Sequence, residues 1–314
     1  MALVFIIDDW DSAFWLREMA GVAKDADIRV WPDCGSRDDI TYAMVWKPAP
    51  GALRSLKNLE VIFSLGAGVD HVFADPELPA GVPIVRIIDP DLTMRMAEYV
   101  VLHVLMHHRR QRAYDEFQRR REWKEIRQPA ASETRVGILG FGVLGQAAGE
   151  RLRDLGFQVA GWIRTAKSVT GIESFAGAGR LDDFLAHTEI LVSLLPHTRD
   201  TAGILDYALF ARLARDRVVD GPVLINAGRG QTQNEADILK ALDDGTLHGV
   251  TLDVFEHEPL PAGSALWTHP RVTITPHNAS VSDPRALCRS IWRQIEHHRQ
   301  GLPLQNVVDP NRGY

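Results

Sequence analysis

The stretch Arg135-Val-Gly-Ile-Leu139-Gly140-Phe-Gly142-Val-Leu-Gly145 places the spacing G-x-G-x-x-G directly after a short apolar run. This spacing is typical of a strand that turns tightly into a helix. Gly140 allows the turn, Gly142 lets a phosphate approach the main chain, and Gly145 lets the helix pack on the strand. Free N–H groups and the positive end of the helix dipole then face the anion. The stretch therefore predicts a site for a dinucleotide pyrophosphate.

The residues after the next strand indicate which dinucleotide is bound. In such folds an acidic residue about 20 residues after the glycines binds the ribose 2′-hydroxyl of NAD. Here the apolar run Val159–Ile163 is followed by Arg164-Thr165-Ala166-Lys167. Two cations and a hydroxyl suit a 2′-phosphate, so we predict that NADP(H) is preferred over NAD(H). The alternative is a solvated loop, but the position directly after a strand favours the cofactor.

Length and composition restrict the class of protein. The chain has 314 residues, of which 45% are hydrophobic and 24% charged, as expected for about two soluble globular domains. Its net charge of −6 argues against nucleic acid as a partner. The two cysteines, Cys34 and Cys288, form no motif, and we predict no metal site. The apolar start Leu3–Ile7 is too short for a signal sequence and no stretch reaches membrane length, so we expect a cytoplasmic protein that does not bind membranes.

Strands and helices alternate along both halves of the chain, which predicts an α/β fold with parallel sheets. The predicted strands of the first half are Leu3–Ile7, Ile28–Trp31, Tyr42–Trp46, Val61–Ser64 and Val82–Ile87. The six predicted strands of the second half are Val136–Leu139, Val159–Ile163, Ile190–Leu194, Val223–Asn226, Gly249–Val254 and Val272–Thr275. The predicted helices are Ser12–Ala23, Gly51–Leu56, a long stretch from Met94 to about Arg121, and Pro284–His298.

Arginines are concentrated in the long predicted helix, at positions 109, 110, 112 and 119 to 121. Such a run indicates either a site for a polyanion or a solvated helix face or oligomer contact. Glu116 and Glu122 are interleaved with the arginines, which favours the second interpretation.

Three consecutive strands of the second half are each followed by a residue with catalytic potential. Arg229 follows the strand at 223–226, Glu258 the strand at 249–254, and His277 the strand at 272–275. Ligands of open parallel sheets bind at the carboxyl ends of the strands. We therefore expect these three side chains to lie at one edge of the sheet.

This trio suits the reduction of a 2-oxo acid. Hydride delivery to a ketone requires a proton donor, and histidine exchanges protons near neutral pH. A carboxylate behind it fixes the tautomer, and an arginine binds the substrate carboxylate. Taken singly, a histidine such as His277 is more often a structural residue, and Arg229 is also interpretable as a helix cap and Glu258 as a turn residue. Their common edge favours catalysis.

Six stretches together resemble the D-2-hydroxyacid dehydrogenase family over essentially the full chain. Within that family the chain is most similar to the glyoxylate/hydroxypyruvate reductase A group. The matching stretches are Ser64-Leu-Gly-Ala-Gly-Val-Asp70, Gly140–Gly145, Leu194-Leu-Pro196, Asn226–Gly230, Leu252–Pro259 and Thr275-Pro-His277. The resemblance implies two Rossmann-like or flavodoxin-like domains with parallel sheets and an active site in the cleft between them. It implies a substrate-binding domain of residues 1–97, completed by 282–314, and a dinucleotide-binding Rossmann domain of residues 98–281.

The resemblance also implies the roles of individual residues. The catalytic residues are Arg229, which holds the substrate, Glu258, which pairs with the histidine, and His277, which donates the proton. The expected cofactor-binding residues are Gly140, Phe141, Gly142, Val143, Leu144, Gly145, Arg164, Thr165, Lys167, Leu195, Pro196, Thr201, Ala227, Gly228, Asp253 and His277. Of these, Asp253 corresponds to the position that contacts the nicotinamide carboxamide.

The expected substrate-binding residues are Trp46, Leu65, Gly66, Ala67, Gly68, Arg229 and His277. The loop 65–68 resembles the family's carboxylate cradle, and two glycines around Ala67 allow close approach of an anion to the main chain. Taken alone, this loop would be interpreted as a plain tight turn. Trp46 either lines a small pocket or is an ordinary core residue. The helix after Met96-Ala97-Glu98-Tyr99 packs between subunits in the family, which implies a homodimer.

We therefore predict an NADP-dependent oxidoreductase that reduces glyoxylate to glycolate and hydroxypyruvate to D-glycerate. One alternative is a reductase for another 2-oxo acid, such as phenylpyruvate. A second is a non-enzymatic dinucleotide-sensing protein that acts as a corepressor, for which the complete proton-transfer trio would not be needed.

Overall fold

A computed structural model describes residues 1–8, 11–66, 68–165, 168–216 and 220–310. The strands are β1 (Ala2–Ile7), β2 (Asp27–Val30), β3 (Ile40–Trp46), β4 (Val61–Ser64), β5 (Ile84–Val85), β6 (Arg135–Leu139), β7 (Gln158–Ile163), β8 (Glu173–Ala176), β9 (Ile190–Ser193), β10 (Val223–Asn226), β11 (Gly249–Leu252) and β12 (Val272–Ile274). The α-helices are α1 (Ser12–Val22), α2 (Asp70–Phe73), α3 (Pro90–His108), α4 (Gln111–Arg120), α5 (Val143–Asp154), α6 (Leu181–Ala186), α7 (Tyr207–Phe210), α8 (Glu235–Asp243) and α9 (Pro284–Arg299).

The chain divides into two compact units. The first unit comprises Met1–Leu92 and Ser282–Tyr314, and the second comprises Thr93–Val281. The first unit contains a parallel five-stranded sheet in the order β2-β1-β3-β4-β5. In this flavodoxin-like order the strands diverge between β1 and β3, which marks the edge where ligands usually bind. Helices α1 and α9 pack together on this sheet and bury Met19, Cys288 and Ile291 in its core.

The second unit contains a parallel seven-stranded sheet in the order β12-β11-β10-β9-β6-β7-β8. Its apolar strands are buried on both faces, as in other sheets covered by helices on each side. The order reverses between β6 and β9, so the crevice for a ligand lies at the carboxyl ends of these two strands. This arrangement agrees with the predicted fold class of two parallel-sheet α/β domains.

The structure differs from the predicted elements at several places. The second sheet has a seventh strand, β8, which the sequence pattern did not indicate because it has four residues and only Phe175 is fully buried. The long helix predicted from Met94 to Arg121 is two helices. It is interrupted at Arg110, whose φ of 56° is left-handed and whose guanidinium lies 3.0 Å from Asp220.

The arginines of this region contact protein groups. Arg112 donates to the carbonyl of Val272 and the hydroxyl of Thr273, and Arg119 and Arg120 pair with Glu116. The predicted helix at Gly51–Leu56 is reduced to a 3-10 turn, Leu53–Ser55. Among the described residues, no helix is both long enough and apolar enough to cross a membrane.

Candidate active site

The turn from β6 into α5 has the geometry that its glycines predict. Gly140 has a φ of 88°, and a Cβ there would lie 2.7 Å from the carbonyl oxygen of Leu194. A Cβ on Gly145 would lie 2.5 Å from the carbonyl oxygen of Gly140, so the helix packs directly on the turn. A Cβ on Gly142, in contrast, would meet nothing within 4 Å. The main chain at Gly142 therefore has open space beside it, at the N-terminus of a helix that no described side chain caps.

Main-chain N–H groups at such a helix start bind phosphate oxygens well. Val143 and Leu144 form the first turn of α5. Val143 is exposed and Leu144 half-buried, whereas Phe141 is fully buried under the turn. A Cβ on Gly161 of the neighbouring strand would lie 2.3 Å from the Phe141 ring. The turn is thus rigid, and it fits the pyrophosphate of a dinucleotide.

The polar residues predicted to bind the ribose phosphate follow β7, the strand beside β6. Arg164 and Thr165 come directly after the strand and are exposed. The Arg164 guanidinium is 47% exposed, and one of its nitrogens lies 3.9 Å from a carboxylate oxygen of Asp200. Lys167 lies outside the described residues. The described part of the loop places one cation and one hydroxyl at the carboxyl end of β7.

The loops after β9 and β10 close around the same crevice. A Cβ on Gly228 would lie 2.6 Å from the carbonyl oxygen of Leu195, so only glycine permits this contact. Leu195 and Ala227 are buried. Thr201 accepts a hydrogen bond from the N–H of Thr198 and donates to the carbonyl of Pro196, so its hydroxyl closes the turn that follows β9.

Arg229 lies on a loop that the strand end holds firmly. Asn226 donates to Gln233 at 2.8 Å and accepts from the N–H of Gly228 at 3.1 Å. A Cβ on Gly230 would lie 1.7 Å from the carbonyl oxygen of Phe255, so this loop is packed against the one after β11. The Arg229 side chain is half-buried and donates to the carbonyl of Gly228 at 2.8 Å.

Glu258 and His277 form a direct pair. The Glu258 Oε2 lies 2.7 Å from the His277 Nδ1, and the Glu258 Oε1 accepts from the N–H of Phe255 at 3.1 Å. A carboxylate only accepts hydrogen bonds, so Nδ1 carries the proton and Nε2 is left for another partner. The His277 side chain is 37% exposed and that of Glu258 28%. A small molecule can therefore reach the imidazole, which the carboxylate orients.

The backbone that carries His277 is held by Asp253, which is 1% exposed. The Asp253 carbonyl accepts from the N–H of His277 at 2.8 Å. Its carboxylate accepts from the N–H groups of Asn278 and Ala279, both at 3.0 Å, and from the Thr275 hydroxyl at 2.6 Å. His277 has a φ of 52°, a strained conformation that such surrounding contacts maintain.

In the first unit, the glycine loop after β4 has its own support. The Ser64 hydroxyl lies 3.1 Å from the Gly68 carbonyl oxygen and 3.1 Å from the His71 Nε2. The His71 Nδ1 accepts from the N–H of Lys47 at 3.2 Å, so Nε2 carries the proton and donates to Ser64. Ser64 is therefore a supporting residue of the loop and not a nucleophile activated by histidine.

The expected substrate residues of this loop have different surroundings. The N–H of Leu65 donates to the carbonyl of Val45 at 2.9 Å, so this amide belongs to the sheet. The N–H of Gly66 donates to the Ser64 hydroxyl at 3.3 Å. Gly68 is half-buried, and its N–H makes no hydrogen bond to a described residue. Ala67 lies outside the described residues. Trp46 stands beside the loop, since a Cβ on Gly66 would lie 2.5 Å from its ring.

Sequence reasoning missed the residues that support the site. Ser64, His71, Asn226 and Gln233 act through contacts between loops, which no local spacing reveals. One signal was available, because Asn226 and Ser64 are polar residues at the end of otherwise apolar strands.

A family match and a full-length relative indicate the same kind of protein. Residues 101–279 match the family described as D-isomer specific 2-hydroxyacid dehydrogenase, NAD binding domain. A protein named glyoxylate/hydroxypyruvate reductase A from Citrobacter koseri is 40% identical over 100% of both chains.

Two solved structures extend this similarity to the fold. An NADPH-dependent glyoxylate/hydroxypyruvate reductase from Sinorhizobium meliloti, in complex with NADP and sulfate, is 44% identical with a TM-score of 0.93 and covers 100% of both chains. A probable 2-hydroxyacid dehydrogenase from Rhizobium etli, in complex with NADP, HEPES and L(+)-tartaric acid, is 45% identical, also with a TM-score of 0.93 and full coverage of both chains.

Proposed function

The chain belongs to the D-isomer specific 2-hydroxyacid dehydrogenase family, and from this premise we propose that it reduces glyoxylate and hydroxypyruvate with NADPH. The products are glycolate and D-glycerate. The observation that carries the proposal is the 2.7 Å pair of Glu258 and His277, because it supplies an oriented proton donor at the carboxyl edge of a dinucleotide-binding sheet. The relatives named above support the substrate and the cofactor.

The second unit fits NADP(H) at three places. The amides at the start of α5, beside the open space at Gly142, receive the pyrophosphate. Arg164 and Thr165, with Lys167, receive the 2′-phosphate. The loops at Leu195–Pro196, Thr201 and Ala227–Gly228 enclose the rest of the dinucleotide, and we assign Asp253 to its nicotinamide carboxamide. We assign the dinucleotide to residues 98–281 and the substrate to residues 1–97 with 282–314.

The proton comes from His277. Bound NADPH supplies the hydride to the carbonyl carbon of the substrate. The developing alkoxide takes its proton from the His277 Nε2, because Nδ1 is turned to Glu258. The Glu258 carboxylate stabilises the positive charge of the imidazolium before transfer and keeps the ring in one orientation.

The substrate carboxylate needs cationic or N–H donors. We assign it to Arg229, whose guanidinium offers two parallel hydrogen bonds, and to the loop of Leu65, Gly66, Ala67 and Gly68. In that loop the Gly68 N–H is the donor that no described residue uses. Trp46, which packs against Gly66, limits the size of the group on C3.

We also propose that the protein is a cytoplasmic homodimer. The second unit exposes Leu102, Leu155 and, completely, Trp123. Apolar surface of this kind is usually covered by another protein surface, and here we assign it to a second copy of the chain. Cys34 and Cys288 are both free thiols in buried positions, which suits a reducing compartment.

A panel of 2-oxo acids tests the reaction. Glyoxylate, hydroxypyruvate and phenylpyruvate are each assayed with NADPH and with NADH. We expect the highest kcat/KM for the first two substrates with NADPH. His277→Ala should lower kcat by about 10²- to 10⁴-fold, the usual contribution of a general acid. His257→Ala, which removes an exposed histidine near Glu258, is the control and should leave kcat unchanged.

Other outcomes would select the alternatives. A preference for phenylpyruvate would assign the chain to a different 2-oxo acid. Dinucleotide binding without reduction of any substrate would favour a sensing protein.

A further inference from the structure

A tyrosine of α3 is connected to the loop that carries His277. Tyr99 is 9% exposed, and its hydroxyl lies 2.7 Å from the Thr275 Oγ1. The Thr275 hydroxyl in turn lies 2.6 Å from the Asp253 Oδ1. A carboxylate only accepts, so Thr275 uses its single proton towards Asp253. Tyr99 must then donate to Thr275. The three residues form a hydrogen-bond chain in which Tyr99 donates to Thr275 and Thr275 donates to Asp253.

This hydrogen-bond chain ends at the backbone next to His277. Asp253 Oδ1, which accepts the hydrogen bond of the Thr275 hydroxyl, also accepts one from the N–H of Asn278 at 3.0 Å. The residue before Asn278 is His277, whose left-handed φ of 52° requires support from its surroundings. Loss of the Tyr99 hydroxyl would leave Thr275 with one hydrogen bond fewer and would weaken its hold on Asp253.

We infer that Tyr99 is a positioning residue for His277 and acts through Thr275 and Asp253. The inference rests on the proposed function only in naming His277 as the proton donor. The Tyr99 hydroxyl bonds Thr275, which in turn bonds Asp253, and we assign Tyr99 no part in the chemistry itself.

The surroundings of Tyr99 suit a permanent donor. Burial, followed by the nearby Asp253 charge, raises the pKa of Tyr99 far above its usual range, although the Thr275 hydrogen bond opposes this. The hydroxyl therefore keeps its proton at neutral pH. The His103 ring packs on Tyr99 with 4.2 Å between the ring centroids, and burial lowers the pKa of His103. A neutral His103 adds no charge that would compete for Asp253.

Tyr99→Phe removes the donor and leaves the ring. We expect kcat to fall about 3- to 10-fold, as for loss of one hydrogen bond that places a catalytic group, with KM and NADPH affinity within about twofold. Tyr207→Phe is the matched control in the same unit. Its hydroxyl also bonds a carboxylate and a threonine, Asp244 at 2.8 Å and Thr246 at 3.1 Å, but near the amino end of β11. Both variants should lose similar stability, and only Tyr99→Phe should lose turnover.

Variants of Thr275 test whether Tyr99 acts through this residue. Thr275→Val breaks it at the next position, so the double variant with Tyr99→Phe should be no slower than Thr275→Val alone. Thr275→Ser keeps the hydroxyl and should restore most of the activity. Additive losses in the double variant, or an unchanged kcat in Tyr99→Phe, would overturn the inference.

A measurement without substrate separates this inference from the proposed function. In the NMR spectrum of ¹³C-histidine-labelled protein, the His277 ring signal is assigned by its absence in His277→Gln. We expect Tyr99→Phe to shift or broaden that signal, and Tyr207→Phe to leave it in place. An unchanged signal in Tyr99→Phe would contradict the inference whatever the substrate is. A shifted signal in a protein that reduces no 2-oxo acid would contradict only the proposed function.

Discussion

The loop after β4 and the loop after β12 both follow the carboxyl end of a parallel strand, but they are held by different kinds of group. In the first loop, Gly66 and Gly68 are supported by neutral groups, the Ser64 hydroxyl and, through it, the His71 imidazole. Residues 275–279 are supported by the buried Asp253 carboxylate, which accepts three hydrogen bonds. Hydrogen bonds to a charged group are about twice as strong as neutral ones.

The difference follows from the task proposed for each loop. A carboxylate that accepted hydrogen bonds from the N–H groups of a loop would compete with an anion bound on the same groups, because the two negative charges repel. A loop that holds an imidazolium tolerates a carboxylate and gains a stiffer support from it. From the proposed tasks we expect the β12 loop to govern turnover and the β4 loop to govern substrate affinity.

Among changes to the groups that support the two loops, the largest effect should come from Asp253→Asn. The amide keeps one acceptor but turns its NH₂ either towards the Ala279 N–H, at the Oδ2 position, or towards both the Thr275 hydroxyl and the Asn278 N–H, at the Oδ1 position. We expect kcat to fall about 10- to 100-fold, because small misplacements of catalytic groups have effects of this size. Steady-state kinetics with saturating NADPH measures it.

Asp75→Asn is the matched control for this change. Asp75 is 5% exposed and its carboxylate also accepts backbone N–H groups, those of Gly51 and Glu77, in the first unit. Both variants should lower the melting temperature, but Asp75→Asn should keep kcat within about twofold. Equal losses of kcat would mean that the activity reports stability alone and that the comparison is wrong.

The sequence predicts features of these loops that depend on neighbouring residues, but not contacts between residues that are far apart in the chain. The strand ends that carry Arg229, Glu258 and His277 follow from local apolar runs and from the rule for parallel sheets, and the structure pairs Glu258 with His277. The contact between Tyr99 and Thr275 spans 176 positions and depends on the rotation of α3 against the sheet, which no local pattern encodes.

Some local structure was also not predicted, because its sequence pattern is weak. The strand β8 has four residues, with one buried aromatic among polar or small neighbours, so its alternation is too short to recognise. The break after α3 lies at Arg110, a good helix former by itself, whose side chain pairs with Asp220 across 110 positions of the chain.

An intermediate effect is expected for Ser64→Ala, which removes the neutral support of the β4 loop. We predict that KM for the 2-oxo acid rises about 3- to 10-fold while kcat changes less than about twofold, because one neutral hydrogen-bonding group is lost. Ser193→Ala is the matched control. Ser193 is also the last residue of a strand and 0% exposed, but its hydroxyl makes no hydrogen bond to a described residue. A fall in kcat with constant KM in Ser64→Ala would contradict the division of tasks.

The smallest effect concerns the helix behind the β12 loop. The His107 Nε2 lies 2.9 Å from the Thr251 hydroxyl, two positions before Asp253. Burial, followed by His103, Arg112 and His248, of which the two histidines act when they are protonated, lowers the pKa of His107 to about 3. In the unfolded chain a histidine has a pKa of about 6.5. Between these values the unfolded state binds a proton that the folded state does not, so acid destabilises the fold.

His107→Gln keeps a hydrogen-bonding group towards Thr251 and removes this titration. Below about pH 6 the stability of the variant should therefore fall less steeply, by up to about 1.4 kcal/mol per pH unit, the contribution of one proton. Thermal unfolding measured from pH 7.5 to 4.5 tests the prediction as a difference between variant and parent. His257→Gln, at an exposed position, should run parallel to the parent. A parallel curve for His107→Gln as well would mean that His107 accepts its proton in the folded state, and that the support of the β12 loop is more open to water than its burial indicates.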